Sequence, residues 1–420
     1  MKPHVLILGG GIAGLGAANW LVRNGFAVTV FEAKDRLGGR IHTIHEGTLP
    51  IELAAEFLHG EDKMIRGVIN AAGLTTHLVP PNQQLMRDGK LKRVKVWDKM
   101  KKLIDRIDPR DADMSFQDFL TTQKLRESDH ALAIGFVQGF HAAYPDRIGA
   151  HSIRRGEYAA EQMDGDSQGR INEGYSAMVG FLEREIRAHG GEILTSATVE
   201  TIRWKPHRVE FQFQQDKHSK LIEGKAAVIT LPLGVLKAKT VQFEPSLADK
   251  QEAIDQLYFG NVMKIILVFR ERWWPKKMSF VQSLDEHIPV WWSDSRGNVL
   301  TGWAGGPKAD ALAHYSTAEL RSLALETLGR IFPEQAQAAK EQLLAAHHHD
   351  WAHDPHVRGA YSYIPVNGLD LPKLLAAPMS ETLFFAGEAT TGDAQTGTVV
   401  GAYESGLRAA REITNARKPA

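Results

Sequence analysis

The chain opens on a short apolar run, Val5-Leu6-Ile7-Leu8, that leads directly into Gly9-Gly10-Gly11-Ile12-Ala13-Gly14. The pattern predicts a strand, a glycine turn and a helix over residues 15–24, with Ala17, Ala18 and Leu21 on the packing face and Gly25 as C-cap. A second apolar strand over residues 27–31 completes a β–α–β unit, which commits this end of the chain to a parallel sheet. The turn contains G-x-G-x-x-G. Gly9 permits the tight turn, Gly11 lets the backbone approach a pyrophosphate, and Gly14 allows close packing of helix on strand. The helix N-terminus offers free N–H groups and the positive end of its dipole to phosphate. Glu32 ends the second strand about 20 residues on, where a ribose-binding carboxylate belongs. Dinucleotide binding is the expected role; a purely structural turn is the alternative.

The run continues as Glu32-Ala33-x-x-x-Leu37-Gly38-Gly39-Arg40. Two glycines let a loop pass close to a diphosphate, and Arg40 can supply it with a fixed cation. The alternative for Arg40 is a solvated loop arginine.

At 420 residues the chain exceeds the roughly 250–300 that one hydrophobic core serves, so two domains are expected. Residues 62–157 read as mostly helical, and 174–190 as a helix. Strands are expected near 192–204, 208–214, 224–230, 262–269 and 383–386, and helices over 317–331 and 399–416. Strand patterns at both ends and in the middle imply a sheet assembled from separated segments.

Fifty Lys and Arg balance fifty Asp and Glu, so bulk electrostatics do not favour a nucleic-acid partner. The absence of cysteine excludes disulfides, thiolate nucleophiles and cysteine-ligated metal centres, and is compatible with a reducing compartment. No secretory leader pattern precedes the first strand, and no apolar run reaches the roughly 20 residues of a membrane span. No membrane association and a cytoplasmic location are the expectations.

Lys264 interrupts the otherwise apolar Val262-Met263-Lys264-Ile265-Ile266-Leu267-Val268-Phe269. A lysine is seldom buried without a partner. It is either an edge-strand lysine that blocks aggregation or an ammonium positioned inside a site. Trp351 and the segment Asp354-Pro355-x-x-Arg358-Gly359-Ala360-Tyr361-Ser362-Tyr363 bring aromatic faces that can bound the path of an amine or simply pack in a core. Trp291, Trp292 and Trp303 carry the same two alternatives. His347-His348-His349 cannot converge on one ion in a helix or strand, so no metal is expected.

The glycine turn and the Glu32–Arg40 run together resemble the FAD-binding signature of the flavin amine oxidase superfamily. That superfamily includes monoamine and polyamine oxidases, histone lysine demethylases and L-amino-acid oxidases. Phytoene desaturases and protoporphyrinogen oxidases share the same opening. The resemblance runs along nearly the whole chain. Residues 52–60 are similar to the family segment beside the flavin ring, which implies cofactor contact for Glu56 and Phe57 and a substrate-pocket position for His59. Residues 199–202 resemble the strand whose backbone meets the adenine, which implicates Val199. Residues 228–236 are similar to the strand and turn before the substrate domain. In the C-terminal block, Gly387 and Glu388 match the ribityl-binding site, and Thr398-Val399 match the helix start near the flavin pyrimidine. The lysine matching Lys264 holds a water at flavin N5 in the family. The family's Arg-Gly-Ser-Tyr-Ser-Tyr segment matches residues 358–363, so Tyr361 is expected to face the flavin and Trp351 to wall the pocket.

Two departures refine this resemblance. Ala360 stands where monoamine oxidases carry the cysteine that attaches their flavin, so the FAD is expected to be noncovalent. Thr398 stands where they place a second tyrosine, as in the polyamine oxidase and lysine demethylase branch. The demethylases' long helical insertion has no room in this chain, so histone demethylation is not expected.

The implied fold is α/β: an FAD-binding Rossmann-like domain of the glutathione-reductase type with an interleaved α+β substrate domain. The first is expected from residues 1–70, 180–250 and 375–420, the second from 71–179 and 251–374. The cofactor-binding residues expected are Gly9, Gly11, Ile12, Ala13, Gly14, Glu32, Ala33, Gly39, Arg40, Glu56, Phe57, Val199, Gly387, Glu388, Thr398 and Val399. Lys264, Tyr361 and Thr398 are the expected catalytic residues, and His59, Trp351 and Tyr361 the expected substrate pocket. The implied reaction passes hydride from the carbon beside a neutral amine nitrogen to flavin N5. The imine then hydrolyses, and O2 becomes hydrogen peroxide. An L-amino-acid oxidase or desaturase of the same fold is one alternative, and a flavin-bound regulatory protein is another. The expected partners are a small amine and O2, without nucleic acid; a homodimer is left open.

Overall fold

The structure is a computed structural model that describes residues 2–161, 167–294, 296–392 and 395–416. Its first body is built on a five-stranded parallel sheet. The strand order is Glu192–Leu194, Ala27–Phe31, His4–Leu8, Ala226–Ile229 and Leu383–Phe385. The central strand buries alternate residues on opposite faces. Val5 and Ile7 pack under the helices Ile12–Arg23, Tyr175–Ala188 and Val399–Ala416. Leu6 and Leu8 pack against a four-stranded sheet formed by Thr198–Lys205, Arg208–Gln215, His218–Gly224 and Gln242–Glu244. Cover on both faces is why this strand is apolar without interruption.

The second body contains a seven-stranded sheet. Its order is Leu343–His348, Val262–Phe269, Val299–Gly305, Val290–Asp294, Phe280–Gln282, Gln83–Arg87 and Lys90–Arg93. Val262–Phe269 therefore has a neighbour on each side, which removes the edge-strand reading of Lys264. Met263, Ile265, Leu267 and Phe269 pack toward the helix Thr317–Ile331, whose N-terminus is closed by a Ser316–Glu319 capping box. Ile266 points the other way, against Ile51 and Leu53 of the first body. Lys264 has the same parity, so its side chain enters the space between the two bodies. A helical layer, formed mainly by Val96–Ile104, Phe116–Thr122, Glu127–His141 and Ala150–Glu161, builds a third core beside this sheet.

The stretch expected to be mostly helical also holds strands Thr76–Leu78, Gln83–Arg87 and Lys90–Arg93. These are short and polar, and Gln83–Arg87 pairs with Phe280–Gln282 far along the chain, so no local periodicity marks it. The opening helix starts at Ile12, inside the glycine motif. The domain limits expected at 179/180 and 374/375 fall inside the helices Tyr175–Ala188 and Leu371–Ala376.

The C-terminal helix crosses the opening helix at Gly406, where an added Cβ would lie 2.1 Å from the Ala13 carbonyl oxygen. Gly406→Ala is expected to cost about 1–3 kcal/mol by overpacking. Gly67, in the helix Lys63–Ala71, has open space at the same position. Gly67→Ala is expected to gain about 0.5–1 kcal/mol from backbone entropy. Denaturant unfolding of both variants checks the pair.

Candidate functional site

A cavity of about 660 Å³ lies between the bodies, and its lining runs from the glycine turn to a cluster of aromatic side chains. At the first end Gly9 adopts φ +109°, and a Cβ on Gly14 would meet the Gly9 carbonyl at 2.0 Å, so neither tolerates a side chain. Gly11 has nothing within 4 Å of its would-be Cβ, so bare backbone faces open space there. The Gly38-Gly39 loop crosses beside it, with the Gly39 Cβ position 3.5 Å from the Gly11 Cα. Arg36 shapes this loop by donating to the carbonyls of Leu37, Gly39 and Ile41. Its only sequence signal was its place inside the Glu32–Arg40 run.

Glu32 accepts the Gly10 N–H at 2.8 Å and the Lys34 N–H at 2.9 Å, which fixes its carboxylate on the cavity wall. Ile12, Ala13, Ala33 and Val199 line the same end. Val199 sits at a register shift in its strand. An open, glycine-bare turn beside a buried carboxylate and a helix N-terminus fits a dinucleotide cofactor.

Arg40 and Glu388 are both on the wall, and they pair with each other at 3.0 Å. Arg40 also donates to the Ala360 carbonyl, and Glu388 accepts both the N–H and the hydroxyl of Ser362. The pair thus braces the strand Tyr361–Tyr363 against the Gly38-Gly39 loop. Gly387 borders the cavity with φ +126° and nothing within 4 Å of its Cβ position.

Lys264 is 2% exposed. Its ammonium donates to Glu56 at 2.7 Å and to the Ala54 carbonyl at 3.0 Å, and lies over the Trp292 ring. Glu56 was expected at the cofactor. It lines the cavity, yet its carboxylate also meets Arg170 at 2.6 Å and the Trp292 N–H at 3.0 Å. Burial pushes the Glu56 carboxyl up, but Lys264 and Arg170 outweigh it and hold the group below its usual range. Arg170 carried no signal in the sequence, because its partners lie on other segments.

The second end is aromatic. Phe57 meets Trp292 edge-on at 5.5 Å, and Trp292 meets Trp303 at 5.8 Å. His59 faces Phe140, which packs on Trp97. Trp292 and Trp303 line the cavity, whereas Trp291 is buried in the core. The Tyr361 hydroxyl donates to the Phe140 carbonyl at 3.0 Å, and burial raises its pKa. Burial also holds His59 and His141 at about 4, so both rings are neutral near pH 7. Thr398 lines the cavity, but its hydroxyl accepts the Gly401 N–H and donates to the Gln395 carbonyl, which spends it on the helix start. Val399 borders the cavity at that helix start. Trp351 is also in the lining; its contacts are Lys34, His349 and the Leu53 carbonyl.

The three adjacent histidines diverge: His347 meets Glu46, His348 the Lys264 carbonyl and His349 Asp354. Among the described residues there is no metal-binding group, and no helix is long and apolar enough to cross a membrane.

The chain matches the family described as "Flavin containing amine oxidoreductase" over residues 12–133 and 122–414. It is 30% identical to polyamine oxidase 3 of Oryza sativa subsp. japonica, covering 98% of this chain and 89% of that one. A lysine-specific histone demethylase 1 homolog 2 of Arabidopsis thaliana is 28% identical over 98% of this chain but only 58% of its own length. Among solved structures, putrescine oxidase bound to putrescine superposes with a TM-score of 0.84 at 20% identity, and cyclohexylamine oxidase from Brevibacterium oxydans with 0.83 at 20%. Each covers 99% of both chains.

Behind Lys264, Glu52 accepts the Tyr175 N–H and the Thr43 hydroxyl, and burial pushes its carboxyl up to about 7. A carboxyl raised above its ordinary 4.5 binds its proton more tightly when folded. Stability is then lost as pH rises from about 4.5 to 7, at up to about 1.4 kcal/mol per pH unit. Glu52→Gln has no such proton to lose. Its unfolding free energy is expected to gain on the wild type between pH 5 and pH 8; parallel curves would contradict this.

Proposed function

This chain belongs to the flavin containing amine oxidoreductases, and on that premise we propose that it oxidises an aliphatic amine of the polyamine class. The observation that carries the proposal is the single cavity joining the bare glycine turn to an aromatic chamber, with Lys264 on its wall. FAD, when bound, would supply the hydride acceptor and the two-electron reduction of O2 to hydrogen peroxide.

The protein binds, orients and excludes water. Gly9, Gly11 and Gly14 give the dinucleotide its bed, and Glu32 is aimed by two backbone N–H groups. Tyr361 is fixed by its bond to the Phe140 carbonyl, so its ring is a rigid wall for the amine. Phe57, Phe140, Trp292 and Trp303 make the chamber apolar, which favours the neutral amine able to release hydride. The neutral His59 adds no charge to it. Lys264 is held in place by Glu56 and the Ala54 carbonyl, so its part is to orient. The imine hydrolyses in water after release.

An amino-acid substrate would need a cation for its carboxylate. Among the described lining residues, Lys34, Arg40 and Lys264 are paired with Asp354, Glu388 and Glu56, and Arg358 is exposed. That commitment favours amines over amino acids. A monoamine is the second reading, favoured by the aromatic walls. Ala360 offers no atom for a covalent link, so the FAD is held noncovalently. We place the enzyme in the cytoplasm, which suits a cysteine-free chain.

Anaerobic mixing of the FAD-loaded protein with polyamines, aryl-alkyl amines and amino acids tests the substrate class. Bleaching by polyamines is expected; bleaching by amino acids alone would refute the proposal. Acid precipitation is expected to release all the FAD into the supernatant, and retained yellow protein would show a covalent link. Lys264→Met is expected to slow reduction or reoxidation at least about tenfold, equivalent to 1.4 kcal/mol, with FAD still bound. Unchanged rates in both half-reactions would remove its role.

A further inference from the structure

Glu56 and Lys264 meet across the join between the two bodies. Glu56 follows the strand Leu49–Glu52 of the first body. Lys264 and Trp292 come from two strands of the seven-stranded sheet that flank Val299–Gly305, and Arg170 from the small strand Gln168–Ile171. Every polar atom of the Glu56 carboxylate is engaged: Oε2 by the Lys264 ammonium, Oε1 by the Trp292 N–H and the Arg170 guanidinium. Arg170 is 3% exposed, stacks on Phe57 and approaches Asp294 at 3.7 Å. Asp294 is in turn bound by Arg296. A chamber of about 20 Å³ behind the pair is walled by Glu52, Glu56, Arg170, Asp294 and Arg296, so these charged groups face one another. The His348 ring meets the Lys264 backbone carbonyl at 2.9 Å.

Three cations, Lys264, Arg170 and Arg296, stand against the ion-paired carboxylates Glu56 and Asp294 and against Glu52, whose carboxyl burial pushes up to about 7. Glu56 lies between two of the cations, Lys264 and Arg170. We propose that Glu56 is a positioning residue for the reaction: clamped by Arg170 and Trp292, it fixes the Lys264 ammonium on the cavity wall and sets how much positive charge the cluster presents there. This rests on the reading of the cavity as a flavin site. A buried pair of this kind is weak evidence for stability, because hydrophobic replacement of both partners is often neutral. Its value lies in a charge of defined size and place, and charge near the ring system is one of the protein's means of tuning a flavin.

The sign of the charge gives the test. In the FAD-loaded enzyme, Glu56→Gln keeps shape and removes a negative charge, so the midpoint potential of the bound flavin is expected to rise. Lys264→Met removes a positive charge, so the potential is expected to fall. The double variant E56Q/K264M is expected to return close to the wild type. A merely structural role for Glu56 has no reason to produce shifts of opposite sign that cancel. An unmoved potential in Glu56→Gln, or shifts in the same direction for both single variants, would overturn the proposal.

Glu56→Gln leaves Lys264 and Arg170 buried beside each other and can fail to fold. The cycle is then read from urea unfolding of the apoproteins. The double variant is expected to be more stable than Glu56→Gln alone, since no unmatched ammonium remains; a double variant no more stable would overturn the proposal. Wild-type protein that takes up no FAD would defeat the functional reading, whereas a loaded protein with an unmoved potential defeats only this inference.

Discussion

The contact between Lys264 and Glu56 is the constraint that orders the rest of the structure. Leaving one partner of a buried pair unmatched costs about 3–5 kcal/mol. An ammonium from one sheet must therefore find its carboxylate from the other body. That requirement fixes how the two bodies close. Apolar contacts between Ile266, Ile51 and Leu53 flank the pair. The same closure forms the cavity, because its lining is drawn from both bodies.

The two ends of that cavity are made differently. The nucleotide end is largely a local object: a strand, a turn, a helix and the loop through Gly39 follow one another in sequence, and Val199 and Glu388 join them from distant segments. The aromatic end is assembled from distant segments. Phe57 follows the first body's strands, Phe140 lies in the helix Glu127–His141, and Trp292 and Trp303 lie on paired strands of the large sheet. Tyr361 reaches the site because Arg40 and Glu388 anchor its strand. A flavin amine oxidase needs both ends: one to hold FAD, the other to present a neutral amine to it.

The shared likeness to polyamine oxidases extends over 98% of the chain, although only 30% of aligned residues are identical. Fold-setting features account for much of what such distant relatives can share. Glycines that admit no side chain and a parallel strand buried on both faces accept few substitutions.

The sequence alone was enough for elements whose cause is local. The strand Val262–Phe269 and the helices Thr317–Ile331 and Val399–Ala416 have the limits their patterns predict. The glycine turn was legible because its conformation depends on residue type at each position. Lys264 was conspicuous as a charge in an apolar strand. Other features had no local cause to read. Gln83–Arg87 is a strand because a distant edge accepts it. Thr398 turned out to spend its hydroxyl on a helix start, and Glu56 turned out to face Lys264. Arg170 entered the site without any sequence signal. Backbone propensity and glycine geometry act within a few residues, so sequence by itself determined the nucleotide-binding unit and the type of most elements. Charge pairing and the shape of the chamber depend on which distant side chains share a space, so only the tertiary structure decided them.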